Sequence, residues 1–394
     1  MYNILHIAAH YGGGVGSVMR SWKKNDLENN HTLTYLNDIE ENKTPYTKLF
    51  NIDMVKEYDI VLCHVWNHPA FFSFLVNTKI PKSRLIGWSH SSGLYPPYVL
   101  FNKLIDYFDD FVYTSPVSKK IAPDIKTIWS CTDISEYYNV KKKEHNNFNI
   151  GYIGTLDYCK LHPDFIKICK DIDSKNTRFI IIGGGCDLDN MVAEAKELGI
   201  FEHCIFTGKV KDVKPYLSLF DVFMYPLYEK HFGTCEQVIG EAMAAGVPCV
   251  VLNNPAETHI IDGSNGFLCL SKESMIYTIK KMEEKSLTVR TNDEMYSRFS
   301  ALRKYSVENM VGQWNNVFDK MINTEKTERF WDGGDPFIES LGPYGYPFRS
   351  NSYSTISAMF KENRQWYSES KGSLKQYSKH FPENKQYKEW LKLL

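Results

Sequence analysis

The 394-residue chain has no Cys-x-x-Cys pair and no His/Cys cluster at zinc-ligand spacing. Its nine cysteines, an odd number, are scattered at Cys63, Cys131, Cys159, Cys169, Cys186, Cys204, Cys235, Cys249 and Cys269. That argues against a disulfide framework, and several sit in apolar runs where a reduced thiol packs as a small hydrophobe. No Asp-x-Asp metal pair lies at a plausible strand end. No apolar run approaches the ~20 residues needed to cross a bilayer. The N-terminus runs straight into strand-like residues without a signal-peptide pattern. The formal net charge is −1, which gives nucleic acid or an acidic membrane no electrostatic attraction. These absences read as a cytoplasmic protein with no bound metal. A local basic patch for nucleic acid and peripheral membrane contact are left open, with no feature in favour of either.

What is present is an ordinary globular composition, 43% hydrophobic and 24% charged, on a chain long enough for two domains and an appendage. Strand-like runs at 4–8, 32–36, 60–63, 85–88 and 111–113 alternate with helix-compatible stretches such as 17–24 and 70–76. A second series follows at 149–153, 179–182, 204–206, 222–225 and 249–252, with a helix pattern over 188–198 closed by Gly199. Such alternation predicts α/β architecture with doubly wound parallel sheets. The polar run 141–147 reads as a linker, giving domains 1–145 and 146–322 and an extension 323–394. The extension, rich in Lys and Tyr, is expected to pack back on the first domain.

Gly12-Gly13-Gly14-Val15-Gly16-Ser17 follows the first strand and opens a helix. Glycines there let backbone amides approach an anion. G-x-G-x-x-G fits no register, so the dinucleotide fingerprint fails, although Asp38 falls where a ribose-binding acid would lie. In the second half, Thr234 and Gln237 have capping-box spacing, which predicts a helix from Thr234 to about Ala245 with a left-handed stop at Gly246. Glu241 then lies two turns from Thr234 on one face, beside small apolar residues, where a polar ligand is expected to meet it.

The phrase Glu241-Ala242-Met243-Ala244-Ala245-Gly246-Val247-Pro248, the strand at 249–252 and Asp262-Gly263-Ser264-Asn265-Gly266-Phe267-Leu268 closely resemble the donor-binding signature of GT-B glycosyltransferases of family 4. The resemblance covers roughly residues 1–320 and is strongest over 149–270. It implies two Rossmann-like domains facing a cleft, and retaining transfer of a sugar from a UDP- or GDP-sugar to an acceptor hydroxyl by front-face attack. It also implies that no metal or other cofactor is needed. Glu241 would hold the ribose, Lys160 and the loop Thr234, Cys235 and Glu236 the diphosphate, Gly13 and Gly14 the donor phosphates or acceptor, and His90 the sugar near its reacting carbon. His64, at another strand end, is a weaker candidate. Two positions depart from the family: Thr155 stands where an arginine is expected, and Gly233 where the first of two glutamates is expected.

The resulting reading is a glycosyltransferase of glycan or glycoconjugate biosynthesis whose partners are a nucleotide-sugar and a hydroxyl acceptor. The sequence leaves the acceptor open among glycan, lipid-linked sugar, protein, metabolite and modified nucleic acid, and says nothing of oligomeric state. The two departures keep a second reading alive, a non-catalytic partner or regulator of an active transferase. A nicotinamide-dependent oxidoreductase ranks third.

Overall fold

The computed structural model describes residues 1–10, 12–36, 47–285, 291–363, 366, 369–370 and 372–394, so Asp38 lies outside the described residues. The chain divides into two compact units, Met1–Thr132 with Val307–Leu394, and Asp133–Ser306.

The first unit begins β1 (Asn3–Ala8), α1 (Gly13–Asn25), β2 (Asn30–Tyr35), β3 (Thr47–Leu49), β4 (Ile60–Val65), α2 (Pro69–Asn77), β5 (Ile80–Ser83), β6 (Leu85–Ser89), α3 (Asn102–Ile105), β7 (Asp110–Tyr113) and β8 (Lys126–Thr127). All of these strands except β5 form one sheet in the order β3-β2-β1-β4-β6-β7-β8, with every pairing parallel. A parallel sheet is covered on both faces, which is why β4 reads Ile-Val-Leu-Cys-His-Val and is buried along its whole length. Its lone polar member, His64, therefore needs a partner inside the protein.

The second unit contains β9 (Phe148–Ile153), α4 (Phe165–Ile172), β10 (Thr177–Ile182), α5 (Leu188–Glu197), β11 (Cys204–Gly208), α6 (Lys214–Leu217), β12 (Val222–Tyr225), α7 (Gln237–Ala244), β13 (Cys249–Leu252), β14 (Phe267–Cys269), α8 (Lys272–Glu283) and α9 (Thr291–Lys304). Its sheet is parallel in the order β11-β10-β9-β12-β13-β14. The loops after β9 and β10 touch backbone to backbone. Gly183 sits at φ +142°, and a Cβ there would lie 1.8 Å from the carbonyl oxygen of Gly154. The expected pair of doubly wound parallel sheets is thus what the chain folds into.

The chain then re-enters the first unit with α10 (Val307–Met321), β15 (Thr327–Arg329), α11 (Pro336–Ser340), α12 (Tyr346–Arg349), α13 (Tyr353–Glu362), α14 (Leu374–His380) and α15 (Lys385–Leu391). β15 pairs antiparallel with β5. Phe337, Leu341, Phe348, Tyr377 and Trp390 join Phe71, Phe72 and Leu75 of α2 in one apolar cluster. Tyr377 also donates its hydroxyl to Asn67 Oδ1 at 2.5 Å. Among the described residues no helix is long and apolar enough to cross a membrane.

Candidate functional site

In sheets of this strand order ligands gather beyond the C-terminal ends of the strands, where the order reverses beside the first strand. In the second unit that place lies after β9 and β12. Lys160, past β9, is held there by backbone bonds: its carbonyl accepts from Tyr228 N–H at 2.8 Å, and His162 N–H donates to Pro226 O at 2.9 Å. The Lys160 ammonium meets Glu236 Oε2 at 2.9 Å in a pair that is nearly closed to water, with side-chain exposures of 16% and 4%. Tyr225, the last residue of β12, donates its hydroxyl to the same oxygen at 2.6 Å. Burial works to raise the Glu236 pKa, but Lys160, His231 and the Tyr225 hydroxyl together bring it below its ordinary value.

Glu236 is also the N-cap of α7, in a left-handed conformation at φ +31°, and its side chain caps no amide. The helix expected to start at Thr234 with a capping box therefore starts later and without one. The reason lies in the carboxylate, which is drawn to Lys160 and Tyr225 rather than to the helix end. Tyr305 fixes the unusual turn by donating its hydroxyl to the carbonyl of Cys235 at 2.5 Å. A Cβ on Gly233 would lie 1.8 Å from Glu236 Oε1. The missing glutamate at 233 and the carboxylate at 236 thus occupy one space. Thr234 and Cys235 are buried beside them.

A second buried pair backs this loop. Gly233 N–H donates to His231 Nδ1 at 2.9 Å, which leaves His231 Nε2 to donate to Glu257 Oε2 at 3.1 Å. Both side chains are closed to water. The stop of α7 is as read from the sequence. Gly246 adopts φ +77°, and Arg298 Nη1 donates to the carbonyl of Ala244 at 2.9 Å, capping the helix end with positive charge.

Glu241, within α7, is half-buried and away from Lys160's partner. Burial pushes its pKa up to about 7, while a hydrogen bond with Tyr137, from the short 3-10 helix Ser135–Asn139, acts in the lowering direction. Tyr137 thus holds the carboxyl that the sequence assigns to a ribose. Thr155 lies two residues past the end of β9, where its carbonyl accepts the Tyr152 hydroxyl at 2.9 Å. The structure gathers Lys160, Tyr225 and Gly233 around the Glu236 carboxylate.

The remaining candidates belong to the first unit. Gly13 and Gly14 are exposed in the first turn of α1, where Gly13 takes φ +67° and the turn carries no acidic residue. His90, just past β6, is half-buried, and its Nε2 lies 2.9 Å from His64 Nδ1. His64 is thereby joined to His6 and His31, neither of which the sequence reading singled out. His6 interrupts the apolar run of β1 and His31 lies near the start of the more polar β2, a signal that gains meaning only once the strand order is known.

Among the described residues two groups bring potential metal-ligating atoms within 4.8 Å of one another, Asp157 with Cys186 and Asp187, and His231 with Glu236 and Glu257. In the second group the Lys160 ammonium already serves as the counter-charge, which disfavours a cation there.

Residues 133–300 match the family model described as glycosyl transferases group 1. The chain is 25% identical over 170 residues to N-acetyl-alpha-D-glucosaminyl L-malate synthase of Bacillus anthracis, covering 41% of this chain and 42% of that protein. It is 31% identical over 98 residues to a GDP-mannose-dependent alpha-(1-6)-phosphatidylinositol monomannoside mannosyltransferase of Mycolicibacterium smegmatis, covering 23% and 26%. The chain thus spans less than half the length of these curated relatives. Among solved structures, Anabaena Alr3699/HepE in complex with UDP and glucose superposes with a TM-score of 0.65 at 16% identity, over 81% of this chain and all of that one. A glycosyltransferase from Rickettsia africae gives 0.63 at 13% identity, over 82% and 99%. At such identities the likeness speaks for the fold. Taken with the group 1 match over the second unit, it makes this a GT-B-fold chain whose second unit is similar to the group 1 glycosyl transferases.

Proposed function

We propose that this chain is a retaining glycosyltransferase that moves a sugar from a UDP- or GDP-sugar to an acceptor hydroxyl. The observation that carries the reading is the Lys160–Glu236 pair at the strand ends of the second unit, inside the segment that matches the family model. An ammonium has three N–H donors, so Lys160 can keep Glu236 and still donate to a diphosphate. With the amides at the loop 233–236, it offers fixed positive charge where a leaving diphosphate develops negative charge, and one well-placed donor lowers such a barrier by roughly 3 kcal/mol. Donor binding is therefore expected without added divalent ion.

In this reading Glu236 takes the sugar-facing place of the glutamate that Gly233 lacks, since its Oε1 already fills the space where a side chain at 233 would begin. Glu241 takes the ribose after Tyr137 yields, and Thr155 offers a hydroxyl in place of the family's arginine. None of these groups fixes the acceptor, and the names of the two relatives above point to a small hydroxy acid in one case and a glycolipid in the other. The test is release of UDP or GDP from a panel of nucleotide-sugars. Wild type should release one of them, and the Lys160→Met/Glu236→Gln double variant, which keeps the site neutral, should not. A folded wild type that releases neither from any donor would contradict the proposal and favour the non-catalytic reading.

A further inference from the structure

The first unit carries a row of imidazoles of which the transferase reading uses only the end, His90. His31 Nε2 lies 2.9 Å from Asp26 Oδ2, and His31 Nδ1 lies 2.7 Å from His6 Nε2. His6 Nδ1 lies 2.9 Å from His64 Nε2, and His64 Nδ1 lies 2.9 Å from His90 Nε2. The strands that carry them stand side by side in the order β2-β1-β4-β6. Their register explains the row. Ile4 pairs with His31, Leu62 with His6, and Trp88 with His64. Each histidine is therefore two residues further along its strand than its neighbour's partner, which keeps all four on one face of the sheet. The diagonal starts at Asp26, just past α1, and ends beyond the C-terminal edge of β6.

We propose that Asp26–His31–His6–His64–His90 is a directional proton relay that makes His90 Nδ1 a base for a hydroxyl-bearing ligand. The direction follows from Asp26. A carboxylate only accepts, so a neutral His31 carries its proton on Nε2 and accepts on Nδ1. The same choice then passes to His6, His64 and His90 in turn, which makes His90 Nδ1 the accepting nitrogen at the end of the row. When a hydroxyl gives up its proton, the O–H bond breaks and an N–H bond forms at His90 Nδ1. The His90 Nε2 proton passes to His64 Nδ1, the His64 Nε2 proton to His6 Nδ1, and the His6 Nε2 proton to His31 Nδ1. The charge comes to rest as a His31 imidazolium beside the Asp26 carboxylate, and the reverse sequence returns the proton to water.

The surroundings favour this path. Trp22 lies 5.1 Å from the His6 ring and 5.3 Å from the His31 ring, and Trp88 lies 5.6 Å from His64 and 4.6 Å from His90. Both indoles are fully buried. An indole has no acceptor to divert an imidazole N–H from the row. Burial holds His6, His64 and His90 below their ordinary pKa, whereas Asp26 stays ionised: burial would raise its carboxyl, but hydrogen bonds from His31, Asn29 and the Glu28 amide bring it to about 2. Lys23 also acts on His6 and disfavours a cation at that ring. The Asp26 end is thus the least costly place for the charge. The identity of the ligand as a hydroxyl compound rests on the transferase reading, but the row itself does not.

The test is long-range proton–nitrogen NMR on the full chain with nitrogen-15-labelled histidine and no substrate. Wild type at pH 7 should show all four rings as Nε2–H tautomers, and on acidification His90 should not be the first of them to carry both protons. An Nδ1–H tautomer at any of the four, or His90 charging first, would overturn the relay. Asp26→Asn sharpens the test. Asp26 Oδ1 accepts the Glu28 and Asn29 backbone amides, while Oδ2 faces His31 and also accepts the Asn29 side-chain amide, so asparagine can keep the turn and place an N–H against His31 Nε2 once the Asn29 side chain turns aside. All four tautomers should then reverse, including that of the distant His90. An unchanged His90 in the folded variant would also overturn the proposal. Absence of nucleotide-sugar turnover with the predicted tautomers intact would instead fault the transferase reading alone.

Discussion

The two units share a parallel sheet whose order reverses beside its first strand, yet they bury polar groups in opposite ways. The second closes a full charge pair, Lys160 with Glu236, inside a loop at the strand ends. The first threads neutral imidazoles through the sheet and confines its carboxylate to one end, at Asp26. An ion pair suits a place where an anionic ligand must be met, because its ammonium keeps donors to spare. A row of neutral rings suits proton movement, because each ring donates and accepts at once. The same fold thus supplies a static charge in one unit and a transmissible proton in the other.

The sharpest way to break this contrast is to remove one partner from each arrangement. Lys160→Met leaves a buried, uncompensated carboxylate and should cost about 3–5 kcal/mol of unfolding free energy. Adding Glu236→Gln should recover most of that in denaturant melts, and equal losses in the single and double variants would speak against a charge pair. His64→Leu interrupts the neutral row and leaves unsatisfied nitrogens on His6 and His90, so about 1–3 kcal/mol is expected. A loss as large as that of Lys160→Met would mean that the row carries net charge.

The smallest effect concerns Glu241. Its folded-state pKa of about 7 lies above the ordinary carboxylate range, so the folded protein binds this proton more tightly than the unfolded chain. The stabilisation is complete at acid pH, below the unfolded value, and is lost as pH rises through about 7. Between pH 6 and 8 wild type should lose about 1 kcal/mol relative to Glu241→Gln. Parallel stability curves for the two proteins would remove the raised pKa from the account.

Much of the fold was legible because it depends on local pattern. Buried parallel strands read as short apolar runs, and the stop at Gly246 is visible from glycine and proline alone. The resemblance likewise rests on a contiguous phrase around Glu241. What escaped depends on partners distant in sequence. Thr234 looked like a helix cap because nothing nearby shows that Lys160 captures the carboxylate of Glu236. Gly233 looked like a loss because the sequence does not show Glu236 folding back over it. His6 and His31 carried no spacing signal, since their alignment with His64 and His90 follows from strand order and register.

Calorimetric titration with UDP- and GDP-sugars, on wild type and Glu241→Ala without added metal, tests the central claim most directly. Hydrogen bonds to a charged group contribute about 1.5–3 kcal/mol, so one donor should bind wild type and bind the folded variant about 10–100-fold more weakly. The same donor binding both proteins with equal affinity would contradict the donor site described for the second unit.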